Sequence, residues 1–270
     1  MNSWFSPAFQ CASDPASFTI IQVSDLHLFS EPGMRYFDVD TRVHWMQVVE
    51  YLQSIPFDIL LVTGDVTQDH LLPSYQFLAE SVQRLSQPCF WLPGNHDDIS
   101  QLSATLSSLP WYSQKQIHWK HWQILLLDSK GETPAGWLDE LHLEELEQAL
   151  KEHTGYSALF CHHHPVALNI ALDKHRLANG ERLIELSTRY PQIQFLAHGH
   201  IHQAEDYRID SLSIHSAPAT SVQFLPHPSQ WIQENQGPGL RRFILHADGR
   251  YQSDFIWLNK HRLFSTFTDS

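Results

Sequence analysis

The run Phe18-Thr19-Ile20-Ile21-Gln22-Val23 leads through Ser24 into Asp25-Leu26-His27. A short, nearly continuous apolar run followed by polar, chemistry-bearing residues reads as a buried strand with a loop at its carboxyl end. The pattern recurs twice. Ile59-Leu60-Leu61-Val62 leads into Gly64-Asp65, and Cys89-Phe90-Trp91-Leu92 leads into Gly94-Asn95-His96-Asp97. Between these runs, residues 41–55 carry Val43, Met46, Val49 and Leu52 at helical spacing and stop at Pro56. Residues 74–85 carry Phe77, Leu78, Val82 and Leu85 in the same way. This β-α-β-α-β rhythm predicts an α/β fold (α+β in some schemes) with strands covered on both faces.

Further along, residues 116–119 and 122–127 read as a hairpin, and 138–150 as a Glu-rich amphipathic helix. Strands are expected at 158–160 and 193–197, with a helix at 180–190 between them. From Tyr207 onward the pattern turns to β, with strands at 213–215, 242–246 and 251–258 and a turn at Asp248-Gly249. Residues 224–239, rich in Pro, Gln and Gly, are expected to form a long loop. Nothing reads as a linker, so one domain over 1–270 is expected, with its core at about 18–258 and a loose N-terminal segment.

The bulk composition bounds the function. With 270 residues and 42% hydrophobic content the chain can bury a sizeable core. A formal net charge of −13 argues against nucleic-acid polymers, whose phosphates it would repel. A small anionic substrate fits if bound metals reverse the local sign. Three widely spaced cysteines, Cys11, Cys89 and Cys161, do not suggest a disulfide framework and fit a reducing, cytoplasmic setting. The first twenty residues lack the basic start and apolar stretch of a secretory signal. No run approaches the ~20 apolar residues of a membrane span, so no membrane partner is expected.

Two more motifs follow expected strands: His162-His163-His164-Pro165 after 158–160, and Gly199-His200-Ile201-His202 after 193–197. Taken singly, each motif has a plainer reading as a turn or a solvated run. Together they place carboxylate, imidazole and amide groups at five strand ends, where loops leave a sheet and form a crevice. Asp25 and His27, and again His200 and His202, stand at i, i+2, which puts both side chains on one side of an extended segment. Asp65 has two oxygens and can bridge two cations. The donor set suits two divalent metals side by side, and a pair about 3.5–4 Å apart is common equipment for phosphate-ester hydrolysis. Nitrogen and oxygen ligation without thiolate suits Fe, Mn or Zn.

These motifs resemble those of the calcineurin-like metallophosphoesterase superfamily, D-x-H, G-D, G-N-H-[DE], H and G-H-x-H. The resemblance implies a four-layer αββα sandwich with two metals at the strand ends. It implies that Asp25, His27, Asp65 and His202 hold one metal, and that Asp65, Asn95, His162 and His200 hold the other. His96 is then the catalytic group facing the phosphate and leaving oxygen, and His27, Asp65, Asn95, His96 and His202 meet the substrate. Asp25-Leu26-His27-Leu28-Phe29, residues 91–97, 122–129 and 162–165, Gly199-His200-Ile201-His202-Gln203, Val222-Gln223-Phe224 with Pro226-His227, and residues 245–249 are similar to the bacterial class III 3′,5′-cyclic AMP phosphodiesterases. That similarity spans about residues 21–249. It implies a small cyclic nucleotide as substrate, 5′-AMP as product, and Fe or Mn before Zn. Another phosphodiesterase on the same site, such as a glycerophosphodiesterase, is the alternative. A non-catalytic scaffold is a third reading, set against retention of every ligand and of His96.

Of the nineteen histidines, His163 and His164 are expected at the rim, orienting a ligand imidazole, and His198 on the far side of its strand end. His44, His118, His121, His142, His153 and His261 are expected to have no special partners. Asp69 is read as either bonding near the site or capping the next helix, and Cys161 as a buried thiol. Residues 166–179 and 224–239 are candidate walls for the substrate's base.

Overall fold

A computed structural model describes residues 3–12 and 15–258. In chain order the elements are β1 (Phe9–Gln10), β2 (Ser17–Val23), α1 (Thr41–Ser54), β3 (Ile59–Thr63), α2 (Leu72–Ser81), β4 (Cys89–Leu92), α3 (Ile99–Thr105), β5 (Gln116–Trp119), β6 (Trp122–Leu126) and α4 (Glu140–Glu152). Then come β7 (Tyr156–Phe160), α5 (Gly180–Arg189), β8 (Ile193–His198), β9 (Asp206–Ile209), β10 (Leu212–Ser216), β11 (Gln223–Leu225), β12 (Ile232–Glu234), β13 (Gly239–His246) and β14 (Tyr251–Trp257).

Two large sheets form. One has five strands in the order β14-β13-β2-β3-β4, and the other seven in the order β1-β5-β6-β7-β8-β10-β9. Strands β2, β3 and β4 run parallel, as do β6, β7, β8 and β10. Side chains alternate between faces along each strand. On β2 and β3, Ile21, Leu60 and Val62 pack into one cluster with Trp45, Val48 and Leu78 of α1 and α2. Their neighbours Ile20, Ile59 and Leu61 pack against Ile124, Phe160 and Phe195 of the other sheet. The outer face of the seven-stranded sheet carries Leu125, Leu159 and Leu196 against Leu146 of α4 and Leu183 of α5. Three apolar interfaces therefore separate four layers, helix–sheet–sheet–helix, as the sequence reading expected.

Two expectations are corrected. Over the described residues 3–12 the N-terminal segment is not loose. Phe5 is buried, Trp4 Nε1 donates to Leu126 O at 2.7 Å, and β1 pairs with β5. Its aromatic side chains, Trp4, Phe5 and Phe9, supply the packing that its polar composition hides. Residues 224–239 are not one long loop. Strands β11 and β12 pair antiparallel, and Gln223 Nε2 donates to Ala219 O at 3.0 Å and Gly237 O at 3.1 Å, closing the base of the hairpin. The helix α3, absent from the sequence reading, is capped by Asp98, which accepts from Gln101 N at 3.0 Å.

Candidate active site

The carboxyl ends of β2, β3 and β4 meet those of β7 and β8 at the junction of the two sheets. Gln22 bridges them there, donating to Thr63 Oγ1 at 2.9 Å and His198 O at 3.3 Å. The loops approach closely because two positions are glycine. A Cβ on Gly64 (φ +93°) would stand 2.6 Å from Gly94 N and His162 Nδ1, and one on Gly94 2.2 Å from Asp65 Oδ1. Asp97 ties two of the loops together, accepting from Gly94 N at 2.9 Å and Val66 N at 3.0 Å.

Six of the seven expected ligands converge. Asp65 Oδ2 lies between His162 Nε2 at 3.4 Å and His27 Nε2 at 3.7 Å, while its Oδ1 accepts from His96 N at 2.9 Å. His202 Nε2 stands 3.1 Å from His27 Nε2 and 3.4 Å from Asp25 Oδ1. His200 Nδ1 stands 3.3 Å from His162 Nε2, and its backbone N–H donates to the Asp25 carboxylate at 3.0 Å. The outer nitrogens set the ring orientations. His27 Nδ1 is 2.8 Å from Gln68 Oε1, His162 Nδ1 is 2.9 Å from Thr63 O, and His202 Nδ1 is 2.7 Å from Val222 O. With those nitrogens donating outward, each Nε2 points inward, where it would meet a metal, His162 giving up the Nε2 proton that Asp65 otherwise favours.

The electrostatics agree. Burial holds His27 and His200 well below the ordinary imidazole range, so both are neutral. Burial opposes ionisation of Asp65, but the adjacent His162 overrides it and holds that carboxyl well below its usual range. In return, and against its own burial, His162 is pushed up to about 9 by Asp65. Burial raises Asp25. Two buried carboxylates beside facing imidazole lone pairs favour a cation between them. Among the described residues, Asn95 Oδ1 and His200 Nε2 are buried polar atoms with no hydrogen-bond partner. The residues present therefore fit a divalent-metal centre. His/Asp groups here have ligand atoms within 4.8 Å of one another: Asp25-His27-His202, Asp25-Asp65-His162, His27-Asp65-His96 and His162-His163-His200.

The profile of the calcineurin-like phosphoesterase family matches residues 18–204. The chain belongs to that family. A probable cyclic nucleotide phosphodiesterase of Pseudoalteromonas sp. (strain SM9913) is 36% identical, the match covering 96% of this chain and all of the relative. The 3′,5′-cyclic adenosine monophosphate phosphodiesterase CpdA of Escherichia coli K12 is 35% identical over 93% of this chain and 92% of its own. Among solved structures, a dimetal phosphatase from Danio rerio superposes with a TM-score of 0.66 at 13% identity, covering 90% of this chain and 96% of that one. This last likeness speaks for the fold. Membership of the family implies a dimetal centre, and the His/Asp groups above are compatible with one.

Several neighbours of the site were not singled out from sequence. His70 Nδ1 donates to His96 O at 2.8 Å, and its ring lies parallel to that of His96 with centroids 5.6 Å apart. Lys130 Nζ donates to Asn95 O at 2.9 Å. Gln68 and His70 stand in the same polar run as Asp65, which was the available signal. His163 uses both ring nitrogens within the protein, on Ser129 Oγ at 2.9 Å and Pro134 O at 3.3 Å. His164 stacks on His200 with centroids 5.5 Å apart and meets Asp173 at 3.2 Å. Asp69 ties the loop and helix start, accepting from Ser30 N at 2.6 Å and Leu71 N at 3.2 Å. His198 packs away from the ligands against Tyr207, and Cys161 is a buried thiol, both as expected.

Three bland expectations fail. His153 Nε2 donates to His121 O at 2.9 Å. His142 is buried between Trp4 and Phe5 and accepts from Asp128 N at 3.2 Å. His44 Nδ1 meets Ser221 O at 2.9 Å. His261 lies outside the described residues.

Proposed function

We propose that this chain hydrolyses the phosphodiester of 3′,5′-cyclic AMP to 5′-AMP at a two-metal centre. Asp25, His27, Asp65 and His202 would hold one ion, and Asp65, Asn95, His162 and His200 the other. The observation that carries the reaction class is the convergence of three inward Nε2 atoms on the Asp25 and Asp65 carboxylates. The substrate rests on the relatives named as cyclic AMP phosphodiesterases, at 34% and 35% identity over nearly their whole length. When bound, two such cations polarise a phosphate ester and make water nucleophilic near neutral pH. The donor chemistry suits Fe, Mn or Zn, and the resemblance to the class III enzymes favours Fe or Mn.

The chain's own residues do the rest. Asp65 holds the His96 backbone through Oδ1, which places the imidazole beside His27 with ring centroids 5.0 Å apart. His27, Asp65, Asn95, His96 and His202 face the substrate in this reading. Burial lowers the pKa of His96, so its ring is neutral near pH 7 and carries one N–H. That N–H hydrogen-bonds the phosphate and then the 3′ oxygen as the P–O3′ bond breaks, and the ring takes up a proton at its other nitrogen as it passes this one on, so it stays neutral. Water supplies the oxygen of the new P–O bond and the proton taken up.

The test is turnover by Mn- or Fe-loaded protein of cyclic AMP, glycerophosphocholine and bis(p-nitrophenyl) phosphate, with His96→Ala beside the wild type. Preferred conversion of cyclic AMP to 5′-AMP, lost in the variant, is expected. Turnover of the other diesters with cyclic AMP left intact would reject the substrate and retain the reaction class.

A further inference from the structure

Beside the metal-binding loops lies a cavity of about 190 Å³ that none of the seven ligands lines. Its walls come from the two segments whose composition suggested a base pocket. Leu172 stands on one side, the β11–β12 hairpin contributes Phe224 and Trp231 on the other, and Ile201 lies between the two histidines of Gly199-His200-Ile201-His202. Phe224 connects the cavity to the metal centre. One edge of its ring meets Trp231 with centroids 5.0 Å apart at 81°, and it packs against His202 with centroids 4.9 Å apart. Gln203 and Glu205 add an amide and a carboxylate to the same lining.

We propose that this cavity seats the nucleobase of the substrate, with Phe224 and Trp231 forming an aromatic corner around a flat heterocycle. The inference rests on the cyclic-nucleotide reading above and extends it to the residues that choose the base. A largely apolar slot with a few convergent polar groups is the usual form of a small-ligand site. One aromatic ring separates it from a ligand imidazole, so a phosphate at the metals and a base in the slot are joined by a single ribose. Gln203 and Glu205 are acceptors for an exocyclic amino group, which adenine carries. Aromatic stacking on a base is worth about 1–3 kcal/mol, so the base should raise affinity by roughly tenfold or more.

Titration calorimetry of metal-loaded protein with 5′-AMP and with ribose 5-phosphate measures the contribution of the base directly. Wild type should bind 5′-AMP at least tenfold more tightly. That ratio should collapse toward one in Trp231→Ala, whose side chain is 43% exposed and removable without opening the core. It should also collapse in Ala171→Trp, which fills the cavity from a half-buried position. Thermal melting of each variant confirms that it is folded. A wild-type ratio near one, or a ratio unchanged in both folded variants, overturns the proposal. Wild type that prefers 5′-AMP yet leaves cyclic AMP intact supports the base seat and rejects the reaction instead.

Discussion

Asp25, His27, Asp65, His200 and His202 all adopt left-handed backbone conformations, with φ between 46° and 69°. Non-glycine residues rarely do so, at a cost of order 1–3 kcal/mol each, and such strain gathers at functional sites. Three loops, after β2, β3 and β8, leave their strands with this turn, and it swings the side chains back over the sheet junction. Gly64 extends the same demand, so Gly64→Ala should lower the melting temperature and the bound-metal content together, because the new methyl group meets Gly94 N and His162 Nδ1. Circular dichroism melts and elemental analysis check it; a variant with wild-type metal content would show that the loops can give way. His96→Ala should behave differently. The imidazole is no ligand in the proposed set, so metal content should hold while kcat falls by about 10²–10⁴, the usual share of a proton-transferring side chain. Loss of metal in that variant would make His96 a ligand.

The N-terminal segment and α4 are coupled through one imidazole. His142 packs between Trp4 and Phe5, and burial lowers its pKa to about 4 from 6.5. The folded protein therefore favours the neutral ring, while the unfolded chain takes up a proton below pH 6.5. Stability from this group is complete above that pH and is lost as pH falls toward 4, by roughly 3 kcal/mol at most. Unfolding free energies from pH 8 to 4 should fall more steeply for wild type than for His142→Gln; parallel curves would remove His142 from the acid response. This element shows what the sequence could and could not reveal. Strands β2, β3 and β4 were legible because they are continuous apolar runs ending in ligands. The packing of Trp4, Phe5 and β1 was not, since a short polar segment gains order only from distant partners such as Leu126 O. The same holds for β11 and β12, whose ends are joined by Gln223, and for α3, too short for a periodic signal. At the site, the proposed ligands were legible from motif spacing, whereas the grip of His70 and Lys130 on the carbonyls of His96 and Asn95 depends on loops far apart in the chain.

Across the whole molecule the two sheets are joined at one end by a buried cation. Arg241 of β13, in the five-stranded sheet, is fully buried and meets Asp206 of β9, in the seven-stranded sheet, at 2.9 Å. Its Nε also donates to Ser216 O at 2.8 Å on β10. Arg241→Met should destabilise the fold by about 2–4 kcal/mol in urea unfolding, since removing one partner leaves buried acceptors unpaired; the partial exposure of Asp206 sets the lower end. A difference within error would make the packing of the sheets sufficient alone. Metals should act at the same end of the junction, since Arg241 pairs with Gln22 of β2 and Ser216 with His198 of β8. At a thousandfold excess over Kd, ligand binding adds about 4 kcal/mol, so chelation should lower the melting temperature, and Mn should restore it.

The ordering of the ligands along the chain has a consequence for biosynthesis. His27 and His202 face each other across 175 intervening steps of sequence, and Asp25 waits equally long for the His200 amide. The chain must therefore be made as far as His202 before the proposed metal cage can close. Capture of ions by that centre would then wait until the two sheets have come together.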